Sequence, residues 1–296
     1  MENYAIECRD LTHYYGKRLI YSNLNIKVPT GRILGLLGKN GCGKTTTINI
    51  LNGFLEPRSG ECLIFGENTQ NLSPDTKRRI GFLIEGHIQY SFMNIYQIEK
   101  FYRGFYKDWK RDAYFDLMKK LKIQPHQKIS TMSCGQRAQV ALGLILAQDP
   151  DLLILDDFSL GLDPGYRRLF VDYMREYAKA EKKTVFLTSH IIQDMERLID
   201  DVLIMDYNRV LAQQPVFDFL EEFKSFRFEL QRDDVDFTND PVIHNFDRIR
   251  NHYEVYTYKK ESDVIGVLNS KGLSYENFTQ VNMNLEDAFI GLTGKY

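Results

Sequence analysis

The sequence predicts an α/β core built on a largely parallel sheet, followed by a smaller α+β appendage. Two patterns carry that expectation. Short, continuously apolar strands alternate with helical stretches through most of the chain, the mark of strands buried on both faces. The texture then changes near residue 220, where strands with one apolar face take over. At roughly 150 residues per domain, 296 residues suit two such units.

In order along the chain, Ala5 to Cys8, Leu24 to Val28 and Ile33 to Leu37 read as strands, separated by Gly16, Pro29-Thr30-Gly31 and Pro57-Arg58-Ser59-Gly60. Residues from about 86 to 148 read as helical. They hold eight aromatics between Tyr90 and Trp109, with Ile95, Ile98, Tyr102 and Phe105 near helical spacing. Alternation returns with the strand Leu152 to Leu155, a helix near 166–180, the strand Thr184 to Thr188 and a helix near 191–199. A hairpin follows, Val202 to Met205 and Val210 to Ala212, with Asn208 at its turn. In the tail, Phe226, Phe228 and Leu230 alternate as a strand, as do Tyr253, Val255 and Thr257. Ser262 is the expected cap of a helix ending before Gly272, and Asn284 of another with Glu286 and Asp287 in its first turn. The expected units are 1–220, with a helical subdomain at about 86–148, and 221–296.

Composition narrows the function. The chain is 43% hydrophobic and 26% charged, too apolar for disorder. Its net charge of −2 supplies no basic field, so nucleic acid is not the expected partner. No apolar run approaches the roughly 18 residues of a membrane span. The start, MENYAIECRD, lacks the apolar core of a secretory signal. Four cysteines without metal-type spacing point to a reducing compartment.

The strongest chemical signal is Gly38-Lys39-Asn40-Gly41-Cys42-Gly43-Lys44-Thr45, which fits GxxxxGK[ST] between a strand and a helix. Glycines at this spacing let backbone N–H groups converge on phosphate oxygens, and the helix N-terminus adds positive partial charge. Lys44 is expected to reach the β- and γ-phosphates and the Thr45 hydroxyl to hold Mg²⁺, with Thr46 next in line.

Further motifs follow in a fixed order: Met132-Ser133-Cys134-Gly135-Gln136 ahead of a helix over Arg137 to Gln148, then Leu152-Leu153-Ile154-Leu155-Asp156-Asp157, Gly161-Leu162-Asp163 and Thr188-Ser189-His190. In this order and spacing, residues 4 to about 215 resemble the nucleotide-binding subunit of an ABC (ATP-binding cassette) transporter. The ending Asn284 to Leu292 is similar to the tail of drug-, peptide- or polysaccharide-exporter cassettes. The resemblance implies a P-loop NTPase cassette that binds ATP and Mg²⁺. It also implies roles by position: Tyr15 stacking on adenine, Asp156 holding Mg²⁺, Asp157 as general base, His190 as the γ-phosphate switch, and Glu85 near Mg²⁺ and the membrane partner. Ser133, Gly135 and Gln136 match the signature loop that completes the site of a second cassette, and Asp163 the loop crossing between subunits. The implied partners are that second cassette and a multi-span membrane permease, whose short cytoplasmic helix docks on the helical subdomain. The expected location is cytoplasmic, peripheral on the inner face of the cell membrane.

Several positions depart from the family pattern. Asp157 and Phe158 stand where Glu and Pro are usual, Cys134 replaces the first signature glycine, and Glu85 replaces Gln. A general base works within about 2.6–3.2 Å, so one missing methylene matters and slow hydrolysis is expected. Cys42 and Cys134 are both expected near nucleotide and open to thiol reagents. Two other readings stay open at this point: a soluble cassette ATPase that assembles a cytosolic complex, and a hydrolysis-poor regulatory partner in a heterodimer.

Overall fold

The computed structural model describes residues 3–83, 90–159 and 162–294. These divide into two compact units, Met1–Val210 and Leu211–Tyr296, so the division falls about ten residues before the expected join, inside a strand rather than after it.

Two sheets form the first unit. The antiparallel one takes β1 (Tyr4–Tyr15), β2 (Arg18–Pro29), β4 (Ser59–Ile64) and β5 (Glu67–Asn68) in the order β2-β1-β4-β5; β3 (Ile33–Gly38) lies elsewhere. β1 and β2 run much further than their apolar cores suggested, because register shifts between Cys8 and Leu11 and again near His13 let the pair continue through polar residues. The second sheet takes β3, β6 (Ile80–Leu83), β7 (Leu152–Leu155), β8 (Thr184–Thr188), β9 (Asp201–Asp206) and β10 (Arg209–Pro215) in the order β10-β9-β3-β8-β7-β6. β3 is parallel to both β8 and β9, and β7 to both β6 and β8. The expected parallel core is therefore present. One apolar cluster joins the sheets, with Ile6, Ile26 and Ile64 of the first against Leu34, Ile154 and Phe186 of the second.

Helices α1 (Lys44–Leu51) and α2 (Pro74–Arg78) precede β6; α3 (Ile95–Arg103), α4 (Arg111–Lys120) and α5 (Cys134–Ala147) follow it. α3 buries Ile95 and Ile98, while Phe105 lies beyond its end and is exposed. α5 starts three residues earlier than expected. Ser133 and Gln136 form a reciprocal capping box there: the Ser133 hydroxyl accepts from the Gln136 amide (3.2 Å) and the Gln136 side chain from the Ser133 amide (3.0 Å). α6 (Pro164–Ala180) opens on Asp163, whose carboxylate accepts from the Gly165 and Tyr166 amides, and α7 (Ile192–Leu198) follows β8.

The second unit holds α8 (Val216–Glu222) and a four-stranded antiparallel sheet of β11 (Lys224–Leu230), β12 (Asn245–Ile249), β13 (His252–Thr257) and β14 (Tyr275–Val281), ordered β12-β13-β11-β14. α9 (Glu261–Ser270) packs Val264, Val267 and Leu268 against Phe226, Phe228 and Val255. It begins after Lys260, so Ser262 lies inside it rather than capping it; the Asp263 carboxylate instead accepts the Lys260 amide. α10 (Leu285–Thr293) is capped by Asn284, which accepts from the Asp287 amide at 2.8 Å.

Candidate nucleotide-binding site

β3 is almost wholly buried and delivers the loop Gly38 to Gly43 to the carboxyl edge of the parallel sheet, where open α/β sheets place their ligands. Gly41 (φ +81°) and Gly43 (φ +111°) take conformations that only glycine adopts without strain. A methyl on Gly43 would lie 2.8 Å from both Ile20 and the Tyr21 ring, so the residue that precedes α1 has no room for a side chain. No side chain caps α1, which leaves its first-turn amides for an anion. The Lys44 ammonium donates to the Gly38 and Lys39 carbonyls at 2.6 and 3.2 Å, folded over the loop it belongs to.

A cleft of about 280 Å³ opens over this loop. Tyr15, Asn40, Gly41, Gly43, Lys44, Thr45, Thr46, Asp156, Asp157 and His190 line it, all foreseen from the sequence. Arg18, Ile20, Thr188 and Ser189 line it too. Arg18 and Ile20 were not singled out, because their place depends on the β1–β2 hairpin and not on a local motif. Gly38 and Cys42 lie beneath the cleft instead: a methyl on Gly38 would come within 2.4 Å of the Cys42 sulfur. Cys42 is fully buried, and burial pushes its thiol above the ordinary range. That corrects the expectation that it is open to thiol reagents. Cys134 is exposed.

The carboxylates follow β7. Both are buried, Asp157 to 6% exposure. Thr188 ties them to β8, its hydroxyl donating to Asp156 Oδ1 (2.7 Å) and accepting from the Asp157 amide (2.9 Å). Asp157 sits at φ +45°, a left-handed conformation that Asp tolerates better than most residues. Its carboxylate lies 3.4 Å from the His190 amide and 3.5 Å from His190 Nε2. The His190 ring is 61% exposed, on the open side of the cleft. Phe158, where the family pattern has Pro, is fully buried and stacks on Phe170 at 4.8 Å, anchoring the turn after the carboxylates to α6.

At the other end, Tyr15 is half exposed, and its ring meets that of His13 edge to face with centroids 4.8 Å apart. Thr45 and Asp156 together offer a hydroxyl and a carboxylate, oxygen donors of the kind Mg²⁺ takes alongside phosphate oxygens, so the donor set fits that ion. Ser133, Gly135 and Gln136 are not brought to this cleft; Ser133 stands exposed at the start of α5. Glu85 and Gly161 lie outside the described residues.

Comparison with known proteins agrees with this geometry. Residues 21–159 match the family described as ABC transporter. The chain is 30% identical to the bacitracin transport ATP-binding protein BcrA of Bacillus licheniformis, over 98% of this chain and 97% of that one. It is 28% identical to the Nod factor export ATP-binding protein I of Cupriavidus metallidurans, over 98% and 97% respectively. A solved ATP-binding subunit of an ABC transporter superposes with a TM-score of 0.65 at 26% identity, covering 73% of this chain and 92% of its own. A bacterial ABC transporter cassette solved as a dimer shares the fold, with a TM-score of 0.63 at 21% identity over 71% and 98%. The loop over Lys44, the paired carboxylates after β7 and the full-length likeness agree: this chain belongs to the ABC transporter family, as an ATP-binding subunit.

Proposed function

We propose that two cassettes close around two ATP molecules, hydrolyse them, and so drive a separate multi-span membrane subunit in export. The observation that carries this reading is the division of the site. The cleft holds the loop, the carboxylates and His190, whereas exposed Ser133 and half-buried Gly135 stand on another part of the same unit, where a second cassette's nucleotide can meet them. The dimeric cassette of the same fold supports it, and the names of the transport and export relatives support the direction.

Within the cleft, first-turn amides of α1 and the Lys44 ammonium hold the phosphates, and the Tyr15 ring takes the adenine face. Thr45 and Asp156 hold Mg²⁺, which when bound neutralises charge on the β- and γ-phosphate oxygens. Asp157 accepts a proton from the attacking water, and His190, against the Asp157 carboxylate, contacts the γ-phosphate. Glu85, by the family resemblance, links Mg²⁺ to the membrane partner. The membrane subunit's helix docks on the exposed aromatics Tyr90, Phe92, Phe101 and Phe105, which pack edge to face from 4.8 to 6.2 Å.

Asp157 and Cys134 favour a second reading, a chain that hydrolyses slowly and works beside a more competent cassette. One experiment addresses both. Cysteines placed at Lys39 and Ser133 should crosslink between molecules when MgATP is present, and Lys44→Ala should abolish that crosslink. Crosslinking only to a different cassette would select the heterodimer; crosslinking that ignores nucleotide would overturn the sandwich.

A further inference from the structure

We propose that Arg18 is a phosphate-binding residue of the cleft, so that the β1–β2 hairpin tip holds the nucleotide at two points. The proposal rests on the reading of the cleft as the ATP site.

Tyr15 and Arg18 are the last and first residues of β1 and β2 and lie directly opposite each other across the turn, where Gly16 takes φ +59°. Directly opposed residues project from the same face of a hairpin, with Cβ atoms about 5 Å apart. Both line the cleft. Arg18 also reaches the loop: a methyl built on Gly41 would lie 2.9 Å from one of its guanidinium nitrogens, so the absence of a side chain at Gly41 is what lets the guanidinium sit there.

Charge gives that position its meaning. Among the described residues lining the cleft, Asp156 and Asp157 bring two carboxylates to a site that must accept a polyphosphate, and Lys44 is folded onto its own loop carbonyls. Arg18 is the second cation of the lining, and its guanidinium makes no hydrogen bond or ion pair among the described residues. A guanidinium with free donors beside backbone amides is suited to phosphate oxygens, which it binds through paired N–H groups. The tip therefore presents an aromatic face for the base and, across the turn, a cation for the phosphate chain.

The test measures binding of MgATP and of inorganic tripolyphosphate with Mg²⁺ to the full chain, for wild type, Arg18→Gln, Arg18→Lys and Lys44→Ala. Arg18→Gln should weaken both ligands by a similar factor, roughly three- to tenfold, as expected for a solvent-facing charged hydrogen bond. It should also make binding less sensitive to salt. Arg18→Lys should recover part of the loss for both ligands, and because Arg18 is exposed the melting temperature should stay at the wild-type value. Unchanged affinity for tripolyphosphate in Arg18→Gln overturns the proposal, whether or not ATP binding falls. If Lys44→Ala leaves both ligands bound, the reading of the cleft itself fails. Loss in Lys44→Ala with no change in Arg18→Gln defeats the Arg18 assignment alone.

Discussion

Replacing Asp157 separates reach from strain. The Asp157 carboxylate lies 3.4 and 3.5 Å from the His190 amide and ring nitrogen, a few tenths of an ångström beyond a normal N–H···O contact near 2.9–3.0 Å. Glutamate adds one C–C bond, about 1.5 Å, more than that gap. The residue's φ of +45° opposes the change, because a longer side chain loses the tolerance Asp has there, at a cost of about 1 kcal/mol. Asp157→Glu should therefore melt about 2–4 °C lower. It should nonetheless release phosphate faster, roughly tenfold, a fraction of the 10²–10⁴ that a well-placed general base supplies. Asp157→Asn keeps the φ tolerance and the acceptor for the His190 amide, so it should melt with wild type while its turnover falls roughly tenfold or more. Phosphate release by the full chain with saturating MgATP, alongside thermal melts, measures both. Wild-type turnover in Asp157→Asn would remove Asp157 as the base. Slower turnover in Asp157→Glu at an unchanged melting temperature would refute the reach argument.

Other perturbations probe separate parts of the chain. A maleimide should modify exposed Cys134 quickly and buried Cys42 hardly at all, as peptide mapping can read, and MgATP should slow the Cys134 reaction as cassettes close. Equal rates at the two sites would contradict the burial of Cys42. His13 is 2% exposed with neither ring nitrogen hydrogen-bonded among the described residues, and burial, aided by Arg58, lowers its pKa below 6.5. The folded state thus binds its proton less readily than the unfolded chain. The stability this residue contributes is complete above about pH 6.5 and declines as pH falls toward the folded value; urea unfolding should show a smaller decline in His13→Phe than in wild type. In the second unit, a methyl on Gly291 would lie 2.3 Å from the Tyr256 ring, so Gly291→Ala should cost about 1–3 kcal/mol of unfolding free energy, with circular dichroism reporting the loss.

What the sequence disclosed depended on the range of the interaction concerned. β3, β7 and β8 are buried on both faces, so their apolar runs were plain, and the Gly38–Thr45 spacing fixed its own loop. Asp156, Asp157 and His190 follow such strands directly and could be placed at one sheet edge before any fold was known. Arg18 could not be, since its seat depends on which residue faces Tyr15 across a hairpin and on Gly41 beyond it. The start of α5 was set too late because a helical pattern beginning at Arg137 ignores the Ser133–Gln136 box that opens the helix earlier. The start of α9 was likewise set too late, since the helix opens at Glu261, ahead of Ser262, and it is the Asp263 carboxylate that accepts the Lys260 amide there. Phe105 kept helical spacing with Ile98 and Tyr102 yet lies past the end of α3, which gives way at Gly104.

A cassette that must borrow Ser133 from a second copy, as proposed above, is sensitive to its own abundance. Where the paired form is scarce, its formation rises with the square of the chain's concentration, so output per chain climbs as copies accumulate and collapses on dilution. Tethering two copies to one transporter lifts that dependence, because each then meets the other at a fixed, high local concentration. On the proposed reading, fuel use is confined to assembled transporters, and stray copies idle.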